Sequence, residues 1–314
     1  MLTPIESEIL ALKKEKNAVI LAHFYEDGDI QDIADHVGDS LFLAQKGEES
    51  TASVILLAGV VFMAESVKIL SPTKKVLVPD LEAGCSLVHS SPFERYKKWK
   101  DENPGAVMMT YINSSAEVKS LSDVICTSSN AEKIVNSIPH DKIILFGPDK
   151  HLGRWLQKKT GRSMKFWDGA CQVHVLFSAK ELFNLKSQHP ESLVIAHPEC
   201  DDGVLSQADV IGSTSKLLET VQNGKHKTYI VATEDGIFHQ MRKLRPDVTL
   251  IQAPATGCAC NQCPYMKLNN LEKIRNALKT LSPEVNVSAD IIESARVPLE
   301  RMMAISRNQP VRWN

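Results

Sequence analysis

Apolar runs of strand length alternate with amphipathic stretches along the whole chain. Residues 5–16 place Ile5, Ile9, Leu10 and Leu12 on one side of a helix, and NAVILAHFY (17–25) follows as the kind of continuous apolar run that forms a buried strand. A short helix over DIQDIADHV comes next, then a helix over LFLAQKGEES with Ser40 placed to cap it. A strand at SVILLAG, a helix around FMAESVKIL and a strand at KVLVPD complete a first unit, which closes on Gly84 and Cys85. The order then recurs. FERYKKWKDEN leads through the strands AVMMTYIN and IILFG, the helix HLGRWLQKK and the strand MKFWD to Cys171. SAKELFNLKSQ, SLVIAHPE, VIGSTSKLLETV, TYIVATE, GIFHQMRKL and VTLIQAP lead in the same way to Cys258.

Equivalent positions keep a nearly constant spacing. His23, Tyr111 and His197, near the first strand ends, are 88 and 86 residues apart; Ser40, Ser128 and Ser213 are 88 and 85 apart; Cys85 and Cys171 are 86 apart. Such a period marks duplication of a domain-sized unit. It divides the chain into repeats at 1–86, 87–172 and 173–265 and a C-terminal helical extension, 266–314, whose helix LNNLEKIRNALKTL is expected to pack back on the first repeat. Strands alternating with helices predict an α/β fold of three similar domains, each a small parallel sheet flanked by helices. A pseudo-threefold arrangement would turn them around a central cavity. Ligands of parallel sheets gather at the carboxyl ends of the strands, where His23, Tyr25, Tyr111, Asn113, His197 and Glu199 all fall. The three serines would start helices whose positive ends face that cavity, a setting for carboxylate or phosphate. A plain capping role, which needs no ligand, is the alternative.

Composition narrows the partners. With 314 residues and 43% hydrophobic side chains, the chain has material for two or three domains. A net charge of −2 with mixed signs argues against nucleic acid or a membrane surface, so small molecules are expected. No run of about 18 apolar residues occurs and the N-terminal stretch is charged, which points to a cytoplasmic location. No GxGxxG follows a predicted strand, which speaks against hydride transfer.

Seven cysteines without regular pairing fit a reducing compartment in which thiolates serve metals or catalysis. Three of them, Cys258, Cys260 and Cys263, crowd TGCACNQCPYMKL (256–268) in a CxCxxC spacing. That spacing differs from the paired CxxC of structural zinc and the CxxCxxC of bacterial ferredoxins. Cys85, Cys171 and one cysteine of this stretch would bring one thiolate from each repeat. Three protein ligands leave a position open, which suits a catalytic centre such as a 4Fe-4S cluster with one open iron better than a closed zinc site. The repeat spacing by itself favours Cys258 as the third. Cys126 and Cys200 break the repeat and read as structural thiols.

In combination, the motifs AHFY with GDS, GVVFMAES, PDLEAGCS, TYINSSAEVK with ICTSSNA, LFGPDKHLG, WDGACQVH, AHPEC, IGSTS, ATEDG and CPYMKLN resemble those of quinolinate synthases of the A type, iron–sulfur enzymes of NAD biosynthesis, over roughly residues 17–275. The resemblance implies a pseudo-threefold assembly around a 4Fe-4S cluster held by Cys85, Cys171 and Cys263, the last as the cysteine of a CPxM sequence and in place of Cys258. Many members have CxxCxxC where this chain has CxCxxC, so no role carries over to Cys258 and Cys260. The implied reaction condenses iminoaspartate with dihydroxyacetone phosphate to quinolinate, releasing phosphate and water, with the open iron as a Lewis acid. L-aspartate oxidase or dehydrogenase is the candidate supplier of iminoaspartate. For that chemistry His23, Ser40, Ser128, His197, Ser213 and Thr214 are the expected binders of phosphate and carboxylate, and Asn113 is suited to orient a carbonyl. Tyr25, Tyr111, His174 and Glu199 are the expected proton carriers, Tyr111 and Glu199 also touching substrate. Two other readings stand beside this one: another iron–sulfur dehydratase of a small dicarboxylate, and a regulatory or scaffold protein with a closed zinc site.

Overall fold

A computed structural model of the chain describes residues 2–257 and 261–313. The first unit runs α1 (Pro4–Glu15), β1 (Ala18–His23), α2 (Gly28–Ile33), β2 (His36–Gly38), α3 (Ser40–Glu49), β3 (Val54–Ala58), α4 (Val61–Leu70), β4 (Lys75–Leu77) and α5 (Ser86–Ser90). The second runs α6 (Phe93–Asp101), β5 (Val107–Tyr111), α7 (Ala116–Ser120), β6 (Val124–Cys126), α8 (Ala131–Ser137), β7 (Ile144–Gly147), α9 (Lys150–Thr160) and β8 (Met164–Phe166), and ends in a 3-10 turn at His174–Leu176. The third runs α10 (Ala179–Gln188), β9 (Leu193–Ala196), α11 (Asp202–Leu205), β10 (Val210–Ile211), α12 (Thr214–Asn223), β11 (Thr228–Ala232), α13 (Phe238–Leu244) and β12 (Thr249–Gln252), and again ends in a 3-10 turn, Met266–Leu268. Two helices follow, α14 (Leu271–Thr280) and α15 (Ala289–Ser306).

The three sheets share one topology, β2-β1-β3-β4, β6-β5-β7-β8 and β10-β9-β11-β12, with every pairing parallel. Helices cover both faces, so the central strands are apolar throughout: all of VILLA in β3 and VMMTY in β5 is buried. α14 lies on α1 and β3 of the first unit, as the amphipathic pattern suggests. The longer α15 reaches past that unit, packing on α4 but also on α7, α8 and β6 of the second. Among the described residues no helix is long and apolar enough to cross a membrane.

Each sheet contains an edge strand, β2, β6 or β10, that the hydrophobic pattern does not signal. The expected helix over DIQDIADHV stops at Ile33, and His36–Gly38 is strand. These edges are two or three residues long, too short for a periodicity, and an aspartate fixes each in place. Asp35 accepts from the Ile20 amide at 2.8 Å and returns its own amide to the Ile20 carbonyl at 2.9 Å. Asp123 does the same to Met108 (2.7 and 2.9 Å), and Asp209 to Val194 (2.8 and 2.8 Å). The three aspartates recur at the period of the repeat and set the register of each edge strand against its central strand. Asp123→Ala is expected to destabilise the protein by about 1 kcal/mol, the usual worth of one such bond, read as a lowered midpoint in urea unfolding.

Candidate active site

The carboxyl ends of the three sheets converge on one cavity of about 680 Å³, mouth included. The end of each first strand delivers a pair of side chains two residues apart, the second carried on the turn or bend that follows the strand: His23 and Tyr25, Tyr111 and Asn113, His197 and Glu199. Ser40, Ser128, Thr214, His174, Cys85, Cys171 and Cys263 line the same cavity, so of the residues singled out from the sequence only Ser213 stays off its wall. Val60, Phe62, Met63, Ile112, Val173 and Met266 supply apolar lining. Cys258 and Cys260 lie outside the described residues.

The serines divide their work. Ser213 caps α12, accepting from the Lys216 amide at 3.3 Å, and so turns Thr214 to the cavity. Ser40 is not a cap: Asp39 takes that position, its carboxylate reaching the Phe42 amide at 2.9 Å, and Ser40 begins the helix. Ser128 lies two residues before Asn130, the N-cap of α8, and its hydroxyl meets His197 Nε2 at 3.2 Å. Asp39 serves the cap of α3 at least as well as a serine would, which leaves the Ser40 hydroxyl for other partners, and Asn130 makes no side-chain cap, its Oδ1 accepting from the Thr127 amide at 2.7 Å.

The polar groups form a directed chain. Glu199 Oε2 lies 2.8 Å from His174 Nδ1; His174 Nε2 lies 3.0 Å from Thr233 Oγ1; Thr233 Oγ1 lies 2.7 Å from the Tyr25 hydroxyl. A carboxylate only accepts, so His174 carries its proton on Nδ1. Thr233 then donates to Nε2 and Tyr25 donates to Thr233. The Tyr111 phenol also faces Glu199 and favours its carboxylate form. His23 Nδ1 accepts from the Tyr25 amide at 3.2 Å and His197 Nδ1 from the Glu199 amide at 3.4 Å, which leaves Nε2–H of each ring as the donor.

Burial sets the charge of these groups. It pushes His23 down to about 4 and His197 to about 3, against the pull of Asp39 and Glu199 on the first and of Glu199 on the second, so both rings are neutral. Tyr25 and Tyr111 are raised well above the ordinary phenol value, by burial first and then by Glu199. Burial would raise Glu199 too, but the His174 ring bonded to it at 2.8 Å, with the Tyr111 phenol facing it, holds its carboxyl well below the usual range.

The thiols are suited to a metal. Burial raises Cys85 to about 12, Cys263 to about 11 and Cys171 well above its ordinary value. The amides two and three residues on oppose this in every case: Leu87 and Val88, Val173 and His174, Tyr265 and Met266. Each cysteine thus stands at the start of a helical turn whose amides favour its thiolate, the form that ligates metal. Three soft donors in one apolar cavity, each with its own amide pair, fit a 4Fe-4S cluster better than a hard cation. Cys171, His174 and Glu199 also bring donor atoms within 4.8 Å of one another, and His174 Nδ1 is 3.2 Å from Cys171 Sγ. Both ring nitrogens of His174 are already engaged in the chain just described, so this trio reads as support for Cys171. Cys126 and Cys200 are buried elsewhere, Cys200 donating to the Ala232 carbonyl at 3.4 Å.

Comparison with known proteins decides the family. The sequence matches the family profile described as quinolinate synthetase A protein over residues 7–304. This chain belongs to that family. It is 52% identical to the quinolinate synthase of Trichodesmium erythraeum over 299 residues, spanning 95% of this chain and 93% of the relative. Against the quinolinate synthase of Chloroherpeton thalassium it is 50% identical over 302 residues, 96% and 94% of the two chains. Against that of Prochlorococcus marinus it is 48% identical over 306, 97% and 92%. Like other members of the quinolinate synthetase A family, the chain is an enzyme.

Several groups in or behind the cavity wall of this family member escaped the sequence reading. Thr233 and Glu234 lie inside the quoted ATEDG motif, but nothing in residue type singles out a threonine as a relay. Glu234, buried against the cavity, accepts from the Gly236 amide at 2.8 Å and the Cys263 amide at 3.3 Å. Asp149, also buried, accepts from the Cys171 amide at 3.1 Å and the Leu152 amide at 2.8 Å, so it caps α9 and holds the Cys171 loop together. Lys267 joins units by donating to the Tyr25 carbonyl (3.0 Å) and Asp27 (2.8 Å) while facing Glu234 at 3.5 Å.

The neutral histidines give a pH signature. With folded-state values depressed to about 4 and about 3, His23 and His197 stay unprotonated where the unfolded chain takes up protons. Stability from these two sites is therefore complete above the ordinary value of 6.5 and is lost as pH falls from there toward about 3. Thermal unfolding followed across this range is expected to show a falling midpoint, with a shallower fall in His23→Gln.

Proposed function

We propose that this chain makes quinolinate in NAD biosynthesis, by condensing iminoaspartate with dihydroxyacetone phosphate and releasing phosphate and water. The observation that carries the reading is the chain of hydrogen bonds from Tyr25 through Thr233 and His174 to Glu199, which runs beside Cys171 in the cavity where the three cysteines meet. Cys85, Cys171 and Cys263 would hold a 4Fe-4S cluster, and when bound that group supplies a Lewis-acidic iron that polarises a substrate oxygen or nitrogen. The condensation needs no net electron transfer. Free thiols suit a reducing cytoplasm, and the unstable imine calls for an aspartate-oxidising enzyme, an oxidase or a dehydrogenase, as its source.

The protein groups divide into binders and proton carriers. The Nε2–H groups of the neutral rings of His23 and His197, with the hydroxyls of Ser40, Ser128 and Thr214, offer donors to carboxylate and phosphate oxygens, and Ser213 acts through the cap that positions Thr214. Asn113 Nδ2, 4.0 Å from Cys85 Sγ, is placed to orient a carbonyl beside the metal site. Glu199, ionised and 2.8 Å from His174, is the base for enolisation and imine rearrangement. Tyr111, facing Glu199, and Tyr25, donating to Thr233, return protons from phenols that burial keeps un-ionised. When His174 takes a proton from Thr233 at Nε2 it releases its Nδ1 proton to Glu199, so a proton crosses from Tyr25 to Glu199 and the negative charge passes the other way.

Two tests follow from these roles. Anaerobically purified protein should carry about four irons and four sulfides per chain, and Cys85→Ser, Cys171→Ser and Cys263→Ser should each lose the cluster and quinolinate formation, whereas Cys258→Ser should keep both. Retention in Cys263→Ser with loss in Cys258→Ser would move the third ligand. Thr233→Val, which breaks the relay without altering volume, should keep its iron and lower kcat by about 10²-fold, the smaller end of what positioned acid–base groups contribute.

A further inference from the structure

The loops that follow the three edge strands meet on one carboxylate. Asp39, after β2, is buried at 7% exposure, and its Oδ2 accepts from Ser129 Oγ at 2.5 Å and from Ser215 Oγ at 2.6 Å, while Oδ1 takes the Phe42 amide at 2.9 Å. Ser129 belongs to the loop after β6, and Ser215 to the first turn of α12 after β10, so one group from each unit is joined. Both hydroxyl bonds have the short lengths of charge-assisted O–H···O contacts. Packing does not hold the serines there, for Ser129 is exposed and Ser215 half-buried.

Neither serine lines the cavity, yet each adjoins a residue that does: Ser128 precedes Ser129, Thr214 precedes Ser215, and Ser40 follows Asp39. At the positions equivalent to Asp39 the second and third units carry Thr127 and Gly212, so a single acid serves all three. We propose that Asp39 is a positioning residue, a pin that fixes the Ser40, Ser128 and Thr214 hydroxyls relative to one another and so sets the geometry of the oxygen-binding end of the cavity. The consequence for ligand affinity rests on the function proposed above; the mechanical linkage of the three loops does not.

Asp39 variants would also lose the cap of α3, so the serines are the cleaner probes. In the cluster-loaded enzyme, Ser129→Ala is expected to speed amide hydrogen exchange not only in its own loop but at Phe42 in the first unit and at Ser215 and Lys216 in the third, and Ser129→Thr should restore protection. Exchange that changes only around residue 129 would overturn the pin, whatever the reaction. For the double variant Ser129→Ala/Ser215→Ala, KM for dihydroxyacetone phosphate and the dissociation constant of quinolinate should rise about tenfold with kcat within about twofold. Faster exchange across all three loops with both constants unchanged would overturn the role in positioning. A wild-type enzyme that neither forms nor binds quinolinate would instead refute the proposed function, leaving the exchange result to decide the linkage.

Discussion

A parallel sheet puts the carboxyl ends of all its strands on one edge, and this chain does so three times with the same strand order. Nothing else would bring residues as distant in sequence as Tyr25 and Thr233 to 2.7 Å, or gather thiols from positions 85, 171 and 263 around one cavity. The constraint is costly, because parallel strands need long crossovers and cover on both faces. A helix between every pair of successive strands meets both needs. It also turns helical first turns, with their unpaired amides, toward the edge where the ligand sits.

The electrostatics of the cavity follow from that enclosure. Burial works against charge on every group, and the cavity answers by ionising few of them. Its phenols stay protonated and two of its imidazoles neutral, so Glu199 stands as a carboxylate among donors. Near Cys263 burial also raises Glu26 to about 8 and Glu234 to about 7, with Asn269 easing the first and Lys267 the second. Thiolates at a metal add negative charge to this region, and acids that give up theirs readily limit the repulsion. Lys119 works from beneath the cavity: fully buried, it lies 5.4 Å from the centroid of the Phe62 ring, which lines the wall, and burial lowers it to about 8 although Glu65 pulls the other way.

Period and patterning made the α/β class, the three units, the central cavity and most of its polar wall legible in the sequence. The residues that could be read were those whose type announces chemistry at a strand end: His23, Tyr111, His197, Glu199 and the cysteines. Two kinds were not. The edge strands left no hydrophobic trace, since what places Val124 or Val210 beside a central strand is a hydrogen bond accepted by the preceding aspartate rather than an apolar periodicity. Groups such as Thr233, Asp149 and Asp39 have ordinary side chains that matter through what they touch, and contacts between residues 39, 129 and 215 have no signature in local sequence. The misassigned cap at Ser40 belongs here too: the helix begins one residue earlier than the apolar pattern suggests, so Asp39 takes the cap position and accepts from the Phe42 amide.

Duplication explains which residues carry the fold and which carry the site. Asp35, Asp123 and Asp209 occupy equivalent places, do the same thing in each unit, and concern only the sheet. Where the proposed reaction demands different groups around one substrate, equivalent places have diverged: His23, Tyr111 and His197 at the first strands, Asp39, Thr127 and Gly212 before the third helices. The serines at 40, 128 and 213 show the same divergence without a change of residue, one opening a helix, one facing an imidazole and one capping. The thiols are the exception that fits the rule: Cys85, Cys171 and Cys263 keep the same local setting, each with the amides two and three residues on, as a centre shared on the axis of a threefold assembly would require. A substrate has no threefold symmetry, so everything that touches it had to depart from the repeat, while what lies on the axis could keep it.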